Sequence, residues 1–387
     1  MYSVVDYGAM IADKARTGAF ARALGQAMRP GAVVLDIGTG TGIFALIACR
    51  LGARRVYAIE PADVIEVARE IAVANGYADR IEFVQALSRS VTLPERADVM
   101  ISDIGGMLPW FQGHITSIAD ARQRLLAPDG VLIPRRDVAW AAVVEAPDLY
   151  DRHTRAWRDN DFGLDMEAAR HIATNTWYRS RVTREQLLTE VRRWATVDYA
   201  VVDDPDVRAP IACTVSRSGI GHGLAVGFDR TVAENIEISN APDAPEAVRP
   251  QESYGTVFFP WPSPVMLAAG DSVNVTLEAR SIREDYVWSW ITRIEEVARP
   301  GAVKAGFSQS TFYGTPLALA SLHRRAASHV PTLNEDGRIT RLVLDSIGRS
   351  APLGEIAREV YSAFSARFKR FEDALGYVSD LSQRFSV

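Results

Sequence analysis

The chain has 387 residues, of which 48% are hydrophobic and 24% are charged, and its formal net charge is -5 at pH 7. This length and composition predict a soluble protein of two or three compact domains, and the acidic balance gives no general electrostatic reason to bind nucleic acid or an anionic membrane. No segment approaches the roughly 20 apolar residues of a membrane helix, and the N-terminus lacks the pattern of a signal peptide. We expect a cytoplasmic protein whose partner is a peptide or a small molecule.

The cysteines and histidines argue against a metal centre. Cys49 lies in a helix-like segment and Cys213 in a strand-like segment, and the six histidines are scattered without the short spacings of metal ligands. We therefore expect two buried free thiols and no metal.

Residues 31–140 alternate short apolar runs with segments of helical period, which is typical of a parallel sheet with crossover helices. AVVLDIG and RRVYAIE predict the first two strands, and TGIFALIACRLG between them predicts a helix that ends at a glycine. In the next helix, DVIEVAREIAVANG, the expected buried face carries Val64, Val67, Ala68 and Ile71. IEFVQAL and ADVMISD predict further strands, so this region is predicted to be a doubly wound, Rossmann-like α/β domain.

The pattern changes after residue 140. Residues 141–299 contain alternating apolar runs separated by Gly, Pro and Asp, which predict an antiparallel β-barrel domain with a helical insertion over about 150–195. We expect a connector over 300–322 and a small helical domain over 323–387, in which NEDGR forms a turn. Its predicted core positions are Ile356, Val360, Phe364, Phe368, Phe371, Leu375, Val378 and Leu381.

The segment VVLDIGTGTGIF, residues 33–44, places Gly38, Gly40 and Gly42 where a strand turns into a helix. A helix start offers free backbone N–H groups, and glycine lets a ligand approach the main chain. The spacing GxGxG departs from the dinucleotide fingerprint, whereas Glu60, about 20 residues further on at the end of the second strand, is placed to accept both hydroxyls of a ribose. A ribose-binding acid without the pyrophosphate spacing indicates S-adenosylmethionine as the ligand.

VLDIGTGTGI, ARRVYAIE, the ISD strand end and LAPDGVLIPRRD together resemble class I methyltransferases, and specifically the protein arginine methyltransferases. MIADKART near the N-terminus, FGLDM in the insertion, and TVFF and GDSVNVTLEA in the β domain have counterparts there in the same order. The resemblance covers about residues 5–296. It implies an S-adenosylmethionine-dependent enzyme, a homodimer, and an N-terminal helical cap, residues 1–30, folded over the cofactor.

The same resemblance implies roles for individual residues in cofactor binding. Arg16 would pair with the cofactor carboxylate, because a guanidinium can donate two parallel charge-assisted hydrogen bonds. Arg89 stands where the family usually has a glutamate that accepts from the adenine amino group, and arginine has no acceptor. The implied cofactor-binding set is Met10, Arg16, Asp36, Gly38, Gly40, Glu60 and Ser88.

The loop SDIGGMLPWFQ, residues 102–112, carries in that family two glutamates that grip the target guanidinium. Here Asp103 stands at the first position and Gln112 at the second, and they are the candidate catalytic pair. Losing one carboxylate removes an attraction of roughly 4 kcal/mol, taken at about 4 Å and an effective dielectric constant of about 20. Arginine is therefore not the default acceptor.

Other residues near this loop leave alternatives open. The family's Thr-His-Trp loop is replaced by the segment 251–253, in which Glu252 could restore a carboxylate. His114 lies two residues past Gln112, either as a base that faces the cleft or, as we favour, as a histidine on a helix surface.

Three functions remain open at this point. We favour methylation of a peptide or protein side chain other than arginine; arginine methylation with Asp103 and another acid is the second reading, and a catalytically silent scaffold that binds the cofactor is the third. Residues 323–387 resemble the PqqD-like winged-helix domains that recognise leader peptides, which implies a ribosomal precursor peptide as the substrate. The alternative for this segment is a helical cap or an oligomerisation element.

Overall fold

The computed structural model describes residues 2–251, 253–299 and 301–386. The chain forms two compact units, Met1–Pro316 and Leu317–Val387. The helices are α1 (Val4–Ala12), α2 (Lys14–Ala27), α3 (Ile43–Arg50), α4 (Ile65–Ala74), α5 (His114–Arg124), α6 (Pro147–Arg158), α7 (Glu167–Thr174), α8 (Leu319–Arg325), α9 (Glu335–Gly348), α10 (Leu353–Ala363) and α11 (Phe371–Phe385). The strands are β1 (Val33–Ile37), β2 (Arg55–Ile59), β3 (Ile81–Val84), β4 (Ala97–Ser102), β5 (Leu126–Ile133), β6 (Arg136–Val144), β7 (Tyr178–Ser180), β8 (Arg192–Asp198), β9 (Val207–Thr214), β10 (Gly219–Ala233), β11 (Ile236–Ser239), β12 (Thr256–Leu267), β13 (Ser272–Ile282), β14 (Asp285–Glu295) and β15 (Val303–Ser310).

The predicted Rossmann-like domain is present as a five-stranded parallel sheet in the order β3-β2-β1-β4-β5. All five residues of β1 are buried, as expected for a central strand that is covered on both faces. On α4 the buried residues are Ile65, Ala68 and Ala72, so the helix is rotated slightly from the face we predicted. The carboxyl ends of β1, β2 and β4 meet at one edge of the sheet, which is where ligands bind in such folds.

The N-terminal segment folds as two helices that meet at Asp13. Ser3 caps α1 by accepting a hydrogen bond from the Asp6 amide, and Asp13 caps α2 by accepting one from the Arg16 amide at 3.3 Å. Helix α1 buries none of its residues, whereas α2 packs Phe20 and its small neighbours against Phe44 of α3. Asp13 is extended and separates the two helices, and Arg16 in the first turn of α2 is buried.

Two antiparallel sheets form the second half of the first unit. One has the order β7-β12-β10-β6-β8, with β11 paired to β10, and the other has the order β15-β14-β13-β9. Their inward-facing side chains include the fully buried Trp261, Trp288 and Trp290. The connector expected over 300–322 contains β15, which pairs with β14, so the small residues that suggested a linker include a sheet strand.

The second unit, residues 317–386, contains α8 to α11 and a core of its own. Ile339, Val343, Ile356, Val360 and Val378 are buried in it. Asn334 caps α9 by accepting from the Gly337 amide at 2.8 Å, so NEDGR begins a helix and our prediction of a turn is wrong. No strand occurs among the described residues of this unit, and the wing of a winged helix is therefore not present there.

Both cysteines are buried and free, as predicted. Across the parts of the chain that the structure describes, no helix is both long and apolar enough to cross a bilayer.

Candidate active site

The glycine turn after β1 forms one side of the site. Gly38, Gly40 and Gly42 have φ values of 74°, 54° and 85°, in the left-handed region that glycine adopts without strain. A β-carbon at Gly38 would clash with the Ile104 side chain, and one at Gly40 would clash with the ring of Tyr7. These clashes place the loop after β4 and helix α1 directly against the turn.

Glu60 directly follows β2 beside this turn and is buried. One carboxylate oxygen accepts from the Gly40 amide at 3.1 Å, and the other accepts from the Ala62 amide at 3.0 Å. Each oxygen keeps further capacity to accept, so the carboxylate can take two vicinal hydroxyls while the backbone holds it in place. This donor and acceptor set fits the ribose of S-adenosylmethionine.

Asp36, at the end of β1, is buried and accepts from the Thr39 hydroxyl at 2.6 Å and from the Ala45 amide at 3.1 Å. Burial raises its pKa to about 7, although these hydrogen bonds oppose the shift. A carboxyl group with this pKa changes its charge near neutral pH, and a cationic ligand group beside it would favour its ionised form.

The other predicted cofactor residues lie around the same edge. The Met10 carbonyl accepts from Arg16 Nη1 at 3.1 Å, and Ser88 is buried at the start of a short 3-10 turn. Arg89 forms an ion pair with Glu284 at 2.6 Å in the turn between β13 and β14. Arg89 is therefore engaged with the β domain, which accounts for an arginine at that position without a role for it in holding adenine.

Asp103 follows β4 and is the centre of a buried ionic network. Its Oδ2 accepts from Arg16 Nε at 2.6 Å, and its Oδ1 accepts from Arg230 Nη1 at 2.7 Å and from the Tyr254 hydroxyl. Burial acts to raise the pKa of Asp103, but the charges of the two arginines and the Tyr254 hydrogen bond outweigh it and lower that pKa below its usual range. Asp103 is thus an ionised, fully paired carboxylate and a weak base.

Arg230 connects this carboxylate to a second one. It stands beside Asp137 in the β10–β6 register, where the two residues are paired, and its Nε and Nη2 donate to the two Asp137 oxygens, each at 2.7 Å. The Tyr199 hydroxyl also donates to Asp137, at 2.6 Å. The side chains of Arg230 and Asp137 are 1% and 0% exposed, so the pair is closed to solvent.

Two other candidates from the sequence, Gln112 and His114, are not part of the hydrogen-bonded network described around Asp103. Gln112 is exposed, has φ 45°, and forms no side-chain hydrogen bond with the residues that the structure describes. His114 is 2% exposed, so our surface interpretation is wrong. Its Nδ1 contacts the Pro109 carbonyl at 3.1 Å, and burial, followed by the charge of Arg230, lowers its pKa to about 4. Glu252 lies outside the described residues.

Sequence reasoning missed Tyr7, Tyr254, Arg230 and Asp137. A signal was present for the last two. Asp137 lies in the same phase of β6 as the inward residue Ala139, and Arg230 lies in the same phase of β10 as the inward residue Phe228. A charged residue in an inward phase of a strand indicates a buried partner of opposite charge, but the partner follows only from the strand register.

Comparisons with known proteins place these features in context. A family model described as ribosomal protein L11 methyltransferase (PrmA) matches residues 16–134. A probable protein arginine N-methyltransferase 6 of Arabidopsis thaliana is 34% identical over 166 residues, which are 42% of this chain and 38% of that protein. Protein arginine N-methyltransferase PRMT10 of Oryza sativa subsp. japonica is 30% identical over 292 residues, which are 66% of this chain and 75% of that protein. The chain thus spans well under half of the first relative and three quarters of the second.

Solved structures agree on the fold. The chain superposes on the Trypanosoma brucei PRMT1 enzyme-prozyme heterotetrameric complex with AdoHcy with a TM-score of 0.69 and 22% identity, covering 79% of this chain and 96% of that chain. Arabidopsis thaliana protein arginine methyltransferase 10 gives a TM-score of 0.68 and 22% identity, covering 80% of this chain and 97% of that chain. The predicted fold class, a Rossmann-like domain followed by an antiparallel β domain and a helical unit, is confirmed.

Proposed function

Because the chain belongs to the protein arginine methyltransferase family and is an S-adenosylmethionine-dependent methyltransferase, we propose that it methylates a peptide or protein side chain other than a guanidinium held between two carboxylates. The cofactor supplies a methyl group on a positively charged sulfur, which a correctly aligned lone pair can accept. The residues of this chain bind the cofactor and orient the acceptor.

In this proposal the glycine turn and Glu60 hold the nucleoside, with Glu60 accepting from the ribose hydroxyls and Ser88 offering its backbone to adenine. Asp36 and Arg16 serve the charged ends of the methionine portion, and Met10 positions Arg16 through its carbonyl. A guanidinium carries five N–H donors, so Arg16 can pair with Asp103 and still donate to a cofactor carboxylate.

The observation that carries the proposal is that Asp103 is already paired with two arginines of this chain. Both of its oxygens already accept from protein groups, namely Arg16, Arg230 and Tyr254. A target guanidinium would find no free carboxylate there, and Gln112 at the second family position carries no charge. A neutral or anionic acceptor suits this site better, with Gln112 as a neutral hydrogen-bonding partner.

The lowered pKa of Asp103 also limits its chemical role. When an N–H or O–H acceptor is methylated, a bond forms from its lone pair to the methyl carbon, the carbon–sulfur bond breaks, and a proton must leave the acceptor. A fully paired carboxylate holds that proton poorly, so we assign Asp103 to orientation and charge balance, and the proton to solvent water.

A direct test uses the full chain, labelled S-adenosylmethionine and a panel of peptides that each offer one acceptor class, followed by localisation of the methyl group by mass spectrometry. We expect label on an amide, hydroxyl, carboxylate or imidazole. Label on arginine would overturn the proposal in favour of an arginine methyltransferase that uses Asp103 with another acid. Cofactor binding without transfer to any peptide would overturn it in favour of a silent scaffold. The control is Glu60→Gln, which is expected to lose cofactor binding and label together.

We further propose that the substrate is a ribosomal precursor peptide and that the helical unit 317–386 binds part of it. This unit has its own core, and tethering a weakly bound peptide raises its effective concentration at the site. A chain ending at residue 316 should then show a KM for the long peptide raised at least tenfold, with kcat unchanged. An equal KM for both chains would remove this role.

A homodimer is part of the same proposal. The segment between α6 and α7 exposes Phe162 and Leu164, which are 84% and 61% exposed. Large apolar side chains at a loop tip are typical of a surface that is covered by a partner. Sedimentation of the wild-type chain beside a Phe162→Ser and Leu164→Ser double variant tests it; a monomeric wild type would contradict it.

A further inference from the structure

We infer that Arg230 is a specificity-determining residue, a guanidinium built into the acceptor side of the site that occupies Asp103 and thereby excludes a cationic acceptor. The inference rests on the proposed function, because it concerns the acceptor of that methyl transfer. It adds the cause: the guanidinium that pairs with Asp103 comes from Arg230 on β10, and not from an arginine of the substrate.

The position of Asp103 makes this residue relevant to the reaction. Asp103 follows β4 at the carboxyl edge of the parallel sheet, and the next residue, Ile104, lies so close to Gly38 that a β-carbon there would clash with it. The carboxylate is therefore attached to the segment that contacts the cofactor turn. Any group that neutralises Asp103 changes the charge seen by an acceptor next to that turn.

Arg230 is held rigidly in this place. Its Nε and Nη2 are fixed by Asp137, and its Nη1 donates to Asp103 at 2.7 Å and to the Tyr254 hydroxyl at 3.1 Å. Its guanidinium carbon also lies 4.8 Å from the centre of the Phe228 ring. A planar guanidinium held on two edges by carboxylates and on one face by an aromatic ring cannot turn away to admit a second guanidinium.

The charges of the network balance without a substrate. Arg16 and Arg230 contribute two positive charges, and Asp103 and Asp137 contribute two negative charges, all on buried side chains. A cationic acceptor would add a third positive charge beside two arginines, in a region of low dielectric constant where such repulsion is strong. An uncharged acceptor adds none, so the network itself discriminates by charge.

The test removes one charge of each sign from the network and measures binding of two small probes. The double variant Arg230→Met with Asp137→Asn removes the Arg230 ion pair from Asp103 Oδ1, which keeps the Tyr254 hydroxyl, while the net charge stays unchanged. The probes are methylguanidinium and its uncharged isostere methylurea, titrated by calorimetry in the presence of S-adenosylhomocysteine. Arg193→Met with Asp229→Asn is the matched control, because that ion pair also ties β10 to another strand of the same sheet, β8, has a 2.9 Å separation, and its arginine is 70% exposed.

We expect the wild type and the control to bind methylguanidinium no more tightly than methylurea, and the network variant to bind methylguanidinium at least tenfold more tightly than the wild type does. Methylurea binding should change less than twofold. A wild type that prefers methylguanidinium overturns the inference whether or not the variant folds, and so does a folded network variant without the gain. Neither readout requires turnover, so a failure here is distinct from a failure to methylate the peptide panel.

Discussion

The cofactor half and the acceptor half of the site use their charged groups in opposite ways. Within the described residues, Glu60 accepts from two backbone amides and keeps capacity for a ligand, whereas Asp103 and Asp137 are paired with arginines at 2.6 to 2.7 Å. A ligand can add hydrogen bonds to the first carboxylate, whereas a cationic ligand at the second two would compete with arginines of the protein. The cofactor half is therefore open to a ligand, whereas the carboxylates of the acceptor half are closed off by ion pairs within the protein.

The largest expected effect comes from a substitution that breaks the network of the acceptor half, the closed half of the site. Asp103→Asn leaves Arg16 and Arg230 with one fewer buried negative charge, and removing one partner of such a network costs about 3 to 5 kcal/mol. Urea unfolding followed by tryptophan fluorescence measures this, because all eight tryptophans lie in the first unit. The matched control is Glu95→Gln, which breaks the exposed Arg54–Glu95 pair of 2.7 Å and should leave the free energy of unfolding nearly unchanged, because solvent screens that pair. Equal losses in the two variants would mean that the network is not closed to solvent.

The second effect tests the environment of the closed half through His114. Burial, followed by the charge of Arg230, lowers the pKa of this histidine from 6.5 to about 4. Between these values the unfolded chain binds a proton that the folded chain does not, so stability falls as the pH falls through this window. The difference corresponds to roughly 3 kcal/mol, because each tenfold change in proton affinity is equivalent to about 1.4 kcal/mol.

His114→Leu should be less stable at pH 7, because it loses the contact with the Pro109 carbonyl, but its stability should fall less steeply between pH 6.5 and pH 4. Asp36 acts with the opposite sign in this range, since its pKa is raised to about 7. That contribution is present in both proteins and cancels when the two pH profiles are subtracted. Parallel profiles would show that His114 is protonated as freely in the folded chain as in the unfolded one.

The third effect concerns the cofactor half, the open half of the site. Gly38→Ala places a side chain at φ 74° and against Ile104, so both the turn and the loop after β4 must shift. We expect S-adenosylhomocysteine to bind about a hundredfold more weakly, equivalent to about 2.7 kcal/mol. Gly52→Ala is the control, because Gly52 has φ 95° with nothing near its β-carbon position, so it introduces backbone strain alone. Calorimetric titration separates the two; equal affinities would remove the turn from the cofactor site.

The open half could be predicted from the sequence because its parts are local. The glycine turn lies between β1 and α3, and Glu60 directly follows the adjacent strand β2. The order of the strands in a parallel sheet is therefore enough to bring the turn and Glu60 together. The fold class followed in the same way from periodicity. The β15 strand was missed because its small residues carry no strong alternation, and it is held in place by pairing with β14.

The closed half could be predicted only in part, because its contacts join distant segments. Asp103 bonds to residues 87 and 127 positions away, and Arg230 bonds to a residue 93 positions away. Family position identified Asp103, but its partners follow from the β10–β6 register and from the break between α1 and α2 at Asp13. For the same reason the sequence left open whether Asp103 acts as a base, and only the structure shows the ion pairs that argue against that role.

The smallest expected effect concerns Gln112, an exposed residue of the acceptor half. Gln112 has φ 45°, a conformation that glycine adopts freely, so Gln112→Gly removes the side chain without a change of loop geometry. If its amide orients the acceptor, the rate of transfer to the preferred peptide should fall about tenfold, equivalent to roughly 1.4 kcal/mol, while cofactor affinity and stability stay within about 0.5 kcal/mol. Asn235→Gly is the control, because Asn235 is also exposed and has φ 58° in the turn between β10 and β11, outside this loop. An unchanged rate in Gln112→Gly would leave acceptor orientation to the Asp103 network alone, and would make charge exclusion, without a specific hydrogen bond, the way in which this site selects its acceptor.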